Sequence, residues 1–162
     1  MLFRSETLEQ FGAKLGADVP FLVQGGTAFA EGIGEKLKPV TVEFPKAVLV
    51  ATPHCAVPTK DAYAGVKPSG NVRWEQFRSA WNGTLSFEFY NKFEESVFPK
   101  YPMIQDLKNK LENLGAFKTL MSGSGASVFA LFDSEENAKK ALAIIEPTVR
   151  FSRITQFKEK LI

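Results

Sequence analysis

Residues 117–132, Phe-Lys-Thr-Leu-Met-Ser-Gly-Ser-Gly-Ala-Ser-Val-Phe-Ala-Leu-Phe, decide the fold of this chain. Phe117 to Met121 and Ser127 to Phe132 are short apolar runs bounded by Gly and Ser, which predicts two strands. The intervening Ser122-Gly123-Ser124-Gly125 is typical of a tight connection between strands. The chain on either side must therefore supply the rest of one sheet and its helices.

The flanking residues predict those other elements. Before the strand pair, the continuous apolar run 47–52 is typical of a strand buried on both faces. Thr59 is expected to cap a short helix through Tyr63, and helices are predicted at 73–82 and 86–98. A clearer helix begins at Pro102 and ends at Gly115, with one apolar face: Ile104, Leu107, Leu111 and Leu114.

After the pair, Asp133 or Ser134 caps a last helix, Pro147 stops it, and residues 149–157 form a final strand. From residue 46 onward the order is strand, helices, strand, strand, helix, strand. This is the order of the ferredoxin-like, split βαβ arrangement of the α+β class, with extra helix in the first crossover.

Residues 1–44 do not fit that arrangement. Ser5 is expected to cap a helix that ends at Gly16, and two short strands follow at 27–31 and 37–42 with Gly32 and Gly34 between them. These elements are too few to bury a core of their own. We therefore expect two domains, with residues 1–44 a remnant of a different domain and residues 45–162 the ferredoxin-like one.

Composition narrows the class of protein. The 162 residues contain 44% hydrophobic residues and 15 Phe, which is ample for a packed core. The net charge of +2 is spread along the chain without a basic stripe, which argues against a nucleic-acid partner. The single Cys and the absence of a run of about 20 apolar residues favour a reducing compartment and no membrane span. We expect a cytoplasmic protein.

Asp18 is the first candidate for chemistry, since it lies in the turn Gly16-Ala17-Asp18-Val19-Pro20-Phe21. Gly16 and Pro20 shape the backbone on either side of it, so its carboxylate would be held in place to meet a substrate hydroxyl. Asp is also a common residue of helix caps and turns, and the spacing alone leaves that structural role open.

The 122–125 loop is the second candidate. Its glycines allow backbone N–H groups to approach an anion, although a plain strand connection also needs Gly and Ser. It lacks the Lys of a Walker-type phosphate loop. No metal site is predicted, because His54 and Cys55 have no second His or Cys to complete one. Alternating Lys and Glu at 92–95 and 107–112 predict solvated helix faces.

Several motifs together resemble the 4-diphosphocytidyl-2-C-methyl-D-erythritol kinase family of the GHMP kinase superfamily. The similarity runs in order over nearly all of residues 6–157. The residues that carry it are Gly16 to Phe21, Gly25-Gly26-Thr27-Ala28, Glu31 to Glu35, Pro53, Pro58 to Tyr63, Asn91-Lys92-Phe93-Glu94, Tyr101-Pro102 and Ser122 to Ala126.

The resemblance implies an N-terminal catalytic domain, a ferredoxin-like C-terminal domain, and an active site between them. It implies ATP-dependent phosphorylation of the 2-hydroxyl of a cytidine-diphosphate-linked methylerythritol in non-mevalonate isoprenoid biosynthesis, with Mg²⁺ accompanying the nucleotide. Asp18 then falls on the catalytic aspartate. Thr59 and Tyr63 fall near positions that contact the cytidine end, and Gly123, Ser124 and Gly125 stand close to the phosphates.

The sequence also departs from that family. No Pro-x-x-x-Gly-Leu-Gly-Ser-Ser loop for the ATP phosphates occurs in the 162 residues, and Lys92 stands where the family usually has Asp. We therefore expect a truncated chain, inactive alone, of a bacterial or plastid-type enzyme. Two alternatives stay open: a kinase for another small alcohol such as mevalonate or homoserine, and a non-catalytic ferredoxin-like binding module. The number of subunits is left open.

Overall fold

The structure, a computed structural model, describes residues 11–34, 36–39, 47–67 and 90–157. The chain divides into two compact units, of which the first contains the described residues 11–34 and 36–39 and the second contains 47–67 and 90–157. The beginning of the helix predicted from Ser5 and the helix predicted at 73–82 lie outside the described residues.

The first unit begins with a helix that ends where the sequence predicted. Residues 11–15 are helical, and the Gly16 N–H donates to the Gly12 carbonyl at 3.1 Å. The next helix, α1 (Val19–Gln24), follows after three residues. The expectation of a continuous turn through Phe21 was wrong, because Pro20 lies in the first helical turn, where its missing N–H costs nothing.

An antiparallel hairpin completes the described part of the first unit. Strand β1 (Ala28–Glu31) pairs with β2 (Lys36–Pro39), and Glu31 lies opposite Lys36. Gly32 and Gly34 adopt φ angles of 75° and 118° in the reversal between them, which confirms the turn predicted there.

The second unit is built on a four-stranded sheet. Its strands are β3 (Ala47–Thr52), β4 (Lys118–Met121), β5 (Val128–Phe132) and β6 (Phe151–Thr155). They lie in the order β4-β5-β3-β6, and every neighbouring pair is antiparallel. This is the predicted ferredoxin-like arrangement, so the α+β fold class is confirmed.

Four helices belong to this unit in the part that the structure describes: α2 (Thr59–Ala64), α3 (Glu94–Val97), α4 (Pro102–Asn113) and α5 (Glu135–Ile145). Helix α4 packs on β4 and β5, and α5 packs on β3, β5 and β6. The predicted apolar stripe of α4 supplies three fully or nearly buried residues to the core: Ile104, Leu107 and Leu111.

Element boundaries show which local predictions were right. Ser134 caps α5, since its hydroxyl accepts the Asn137 N–H at 3.2 Å. Thr59 does not cap α2, because Pro58 occupies the cap position and Thr59 is the first helical residue. The last strand begins at Phe151 rather than at 149, because residues Glu146–Thr148 form a turn of 3₁₀-helix first.

The helix predicted at 86–98 is much shorter in its described part. Only Glu94–Val97 is helical, because the Asn91 side-chain oxygen accepts the Phe93 N–H at 3.0 Å and closes a turn of its own. Asn competes with helical hydrogen bonding in this way wherever its short side chain reaches the backbone two residues on.

Two phenylalanines of the same sheet should differ strongly in their contribution to the free energy of unfolding. Phe132 is fully buried, whereas Phe151 on the edge strand β6 is 49% exposed. We expect Phe132→Ala to lower the free energy of unfolding by about 3–5 kcal/mol, through lost burial and the cavity left behind. Phe151→Ala should cost about 1 kcal/mol or less. Urea unfolding followed by circular dichroism measures both, and equal losses would contradict this packing.

Candidate functional site

Asp18 occupies the residue just before α1, yet its side chain does not cap that helix. Its backbone carbonyl accepts the Leu22 N–H at 3.2 Å, while its carboxylate makes no capping hydrogen bond. The residue is exposed. The structural role that the sequence left open for this carboxylate, helix capping, is therefore not the one it has here.

Gly34 lies against the Asp18 carboxylate. A Cβ atom built on Gly34 would stand 3.4 Å from Asp18 Oδ1 and 3.6 Å from the Ala17 carbonyl oxygen. The φ angle of 118° at Gly34 also disfavours any residue with a side chain. The hairpin turn thus lies beside the carboxylate, and it is the φ angle that favours glycine at this position.

The 122–125 loop joins β4 to β5 and is closed by two backbone hydrogen bonds. The Ser122 N–H donates to the Ser127 carbonyl at 2.8 Å, and the Gly125 N–H donates to the Ser122 carbonyl at 3.0 Å. Within the described ranges, the N–H groups of Gly123 and Ser124 donate to no protein acceptor. Gly123 is exposed and Ser124 half-buried, so both donors remain available to an anion.

Both ends of this loop are tied to the sheet. The hydroxyls of Thr52, at the end of β3, and Ser127 share a hydrogen bond of 2.8 Å. A Cβ on Gly125 would stand 3.0 Å from the Met121 sulfur and 3.4 Å from Val57 Cγ2, and its φ angle is 93°. Glycine at this position is therefore required by close packing as well as by conformation.

Tyr63 and Thr59 are both exposed on α2. The Tyr63 ring is 64% exposed and meets Phe93 edge to face, with 4.8 Å between ring centroids and 73° between planes. This contact fixes one side of the phenol ring while leaving much of its surface open to a planar partner. Thr59 lies one helical turn before Tyr63.

Asn91 and Glu94 are the residues whose importance the sequence prediction missed. Asn91 Nδ2 donates to the Met121 carbonyl at 2.7 Å and to the Gly123 carbonyl at 2.8 Å. Glu94 was expected on a solvated face, but its side chain is 14% exposed and pairs with Lys108 Nζ at 2.7 Å. A buried charge needs such a partner. The neighbouring Lys92 does remain on the surface.

Of the predicted site residues, Asp18 belongs to the first unit and the others to the second. Within the second unit, the turn at 91–94 connects two of the predicted sites. Its Asn91 bonds the 122–125 loop, and its Phe93 contacts Tyr63. Sequence spacing gives no sign of this connection, because each segment lies about 30 residues from the next one along the chain.

His54 and Cys55 lie apart from these groups. His54 lines a cleft of about 240 Å³ with Pro53, Met103, Asp106, Leu107, Lys110, Thr148 and Val149. Burial raises the pKa of the Cys55 thiol, and the Arg150 charge lowers it to a smaller extent. Among the described residues, no three His, Cys, Asp or Glu side chains are grouped so as to hold a metal ion, and no helix has the length and apolarity for a membrane crossing.

Comparison with known proteins identifies the second unit. The family model described as GHMP kinases C terminal matches residues 75–147. A 4-diphosphocytidyl-2-C-methyl-D-erythritol kinase from Bacteroides fragilis is 40% identical over 141 residues, which is 83% of this chain and 50% of the relative. The chain spans about half the length of the curated relatives it matches.

Solved structures agree with this match. The crystal structure of a 4-(cytidine 5'-diphospho)-2C-methyl-D-erythritol kinase superposes with a TM-score of 0.70 at 29% identity, covering 92% of this chain and 56% of that one. Homoserine kinase from Cytophaga hutchinsonii has a TM-score of 0.67 at 21% identity, covering 88% and 51%, and so shares the fold.

The fold and the glycine-rich loop define a ferredoxin-like domain of the kind found in small-molecule kinases. The chain contains a GHMP kinase C-terminal domain.

The contact at Gly34 can be tested without any substrate. We expect Gly34→Ala to lower the free energy of unfolding by about 1–3 kcal/mol, because an L residue is strained at this φ angle. The new methyl group should also come into van der Waals contact with the Asp18 carboxylate and shift its ¹³Cγ resonance. Gly115→Ala is the matched control, since Gly115 has a φ angle of 93° and no atom within 4 Å of an added Cβ. An Asp18 resonance that moves equally in both variants would refute the contact.

Proposed function

We propose that this chain is part of an ATP-dependent kinase that phosphorylates the 2-hydroxyl of 4-diphosphocytidyl-2-C-methyl-D-erythritol in non-mevalonate isoprenoid biosynthesis. The observation that carries the proposal is the 40% identity to the Bacteroides fragilis enzyme of that name. Fold alone would not select this substrate, because a homoserine kinase shares the fold. A location in the bacterial cytoplasm is part of the proposal.

In the proposed reaction Asp18 is the general base. It accepts the proton of the 2-hydroxyl while the hydroxyl oxygen attacks the γ-phosphorus of ATP. The bond from that phosphorus to the bridging oxygen breaks, and ADP leaves. Phosphoryl transfer depends on positioning and charge stabilisation more than on covalent chemistry. An exposed carboxylate with no capping bond, held beside Gly34, supports this role.

The remaining candidate residues are assigned to binding the phosphates and the cytidine end of the substrate. The free N–H groups of Gly123 and Ser124 would donate to phosphate oxygens, with Gly125 supporting the loop conformation. The exposed face of Tyr63 would stack on the cytosine ring, and Thr59 would contact the same end of the substrate. We assign residues 1–44 to the catalytic domain of the kinase and residues 45–162 to its C-terminal domain.

ATP and Mg²⁺ are the cofactors of this proposal. Mg²⁺ commonly binds through one or two carboxylates together with substrate phosphates, and it neutralises phosphate charge when bound. The described residues offer no carboxylate cluster that would hold it unaided, so no residue is assigned as its ligand. The sequence also lacks the Pro-x-x-x-Gly-Leu-Gly-Ser-Ser loop, and the 162 residues assayed alone should show no turnover.

The role of Asp18 can be tested in a completed chain, in which the part of the Bacteroides fragilis kinase outside the match is fused to these residues. We expect Asp18→Asn to lower kcat by about 10²–10⁴, the usual contribution of a positioned base. The assay is ADP release with the cytidyl substrate. Asp133→Asn, an isosteric change at an exposed residue before α5, should leave kcat unchanged.

Near-normal turnover by Asp18→Asn would remove Asp18 as the base. The same completed chain separates the alternatives in a substrate panel. Phosphorylation of homoserine or mevalonate in preference to the cytidyl compound would replace the proposed substrate. Failure to phosphorylate any of them would favour a non-catalytic module.

A further inference from the structure

We propose that Asn91 is a positioning residue that aims the 122–125 loop at the phosphates of the nucleotide, with Glu94 anchoring the strand from which the loop departs. The phosphate-facing part of this inference rests on the proposed function. The hydrogen bonds that carry it lie within the second unit and are independent of the substrate.

The amide group of Asn91 is fully used in holding backbone. Its Nδ2 donates to the carbonyls of Met121 and Gly123, at 2.7 and 2.8 Å, and its Oδ1 accepts the Phe93 N–H at 3.0 Å. One side chain therefore bridges the last residue of β4 and the second residue of the loop. The Phe93 bond, in turn, fixes the orientation of the Asn91 amide itself.

The bond to Gly123 sets the direction of a free donor. The Gly123 carbonyl and the Ser124 N–H belong to one peptide unit, and in a trans peptide these two groups point in opposite directions. The Gly123-Ser124 peptide bond is trans, since the cis bond of this segment lies two peptide bonds later, between Gly125 and Ala126. Holding the Gly123 oxygen against Asn91 therefore turns the Ser124 N–H away from Asn91.

An anion site needs this orientation. A phosphate is attracted by N–H groups and repelled by carbonyl oxygens, so its loop must keep the carbonyls turned away. The Asn91 amide donates hydrogen bonds to two carbonyl oxygens at the start of this loop, those of Met121 and Gly123. Without these bonds, Gly123, which has open space around it and a φ angle of 53°, could rotate the peptide unit.

Glu94 fixes the base of the loop. Its Oε1 accepts the Met121 N–H at 2.8 Å, and its Oε2 pairs with Lys108 Nζ at 2.7 Å. Strand β4 lies at the edge of the sheet, so one side of its backbone has no strand partner among the described residues, and Glu94 supplies an acceptor there. Lys108 on α4 holds the carboxylate, which ties the loop to the helix layer behind the sheet.

Asn91→Asp tests the positioning role with almost no change of shape. The carboxylate keeps an acceptor for the Phe93 N–H but loses both donors and repels the two carbonyls. In the completed chain we expect the KM for ATP to rise about tenfold, the usual effect of losing a hydrogen bond near a charged group. The KM for the cytidyl substrate should be unchanged. A folding defect would instead reduce the fraction of active enzyme, which lowers the apparent kcat and leaves both KM values unchanged.

Asn109→Asp is the matched control, because it makes the same charge change at an exposed position of α4. It should leave both KM values unchanged. Glu94→Gln keeps an oxygen acceptor for Met121 and should raise the KM for ATP less than Asn91→Asp does. An ATP KM that is the same in Asn91→Asp and Asn109→Asp overturns the proposal, and so does an equal rise in both KM values.

A second measurement separates this proposal from the proposed function. In ¹H–¹⁵N spectra of the 162-residue chain, the amide resonances of Gly123 and Ser124 should move in Asn91→Asp and stay in place in Asn109→Asp. If the completed chain has no kinase activity while these resonances move, the proposed function fails and the control of the loop by Asn91 is upheld. Unmoved resonances overturn that control whatever the activity.

Discussion

Burial of strand β3 between β5 and β6 is the constraint on which the second unit depends. Five of the six residues of Ala47–Thr52 are buried, and the strand is hydrogen-bonded on both edges. Its Val48 and Leu49 are buried, and each such side chain removed from water contributes about 1.5–3 kcal/mol. Once β3 is central, β5 must lie beside it, and the connection from β4 to β5 must emerge at the end of the sheet where Thr52 meets Ser127.

That connection combines a rigid base with open donors. The strands and the Thr52–Ser127 bond fix its two ends, while the exposed Gly123 carries a free N–H. Groups that bind ligands are usually placed in this way, on a loop held by regular structure. The turn that contains Asn91 extends the same rigidity to α2, because its Phe93 packs on Tyr63. The turn therefore links the loop and α2 within one hydrogen-bonded and packed framework.

Sequence patterns predicted the elements whose signals are local and failed where a side chain acts across the fold. The unbroken apolar run of β3 and the 3–4 spacing of Ile104, Leu107 and Leu111 each have one physical explanation, burial of a strand and of a helix face. Helix α1 was missed because Pro20 suits a turn and a first helical turn equally well. Glu94 was assigned to solvent because its partner Lys108 lies 14 residues further on. No pattern in one sequence links such a pair.

The charge around the loop limits what it could contribute to the proposed kinase. Two neutral N–H donors can direct a phosphate but cannot balance the charge of a triphosphate. Two lysines beside its supporting turn are already paired with carboxylates: Lys108 with Glu94 at 2.7 Å, and Lys92 with Glu95 at 2.6 Å. In the proposed kinase, further positive charge for a triphosphate would come from other groups of the complete site, including the Mg²⁺ that accompanies the nucleotide. In the proposed kinase this loop would therefore position a phosphate rather than balance its charge, so its carbonyls would have to be held as firmly as its amides.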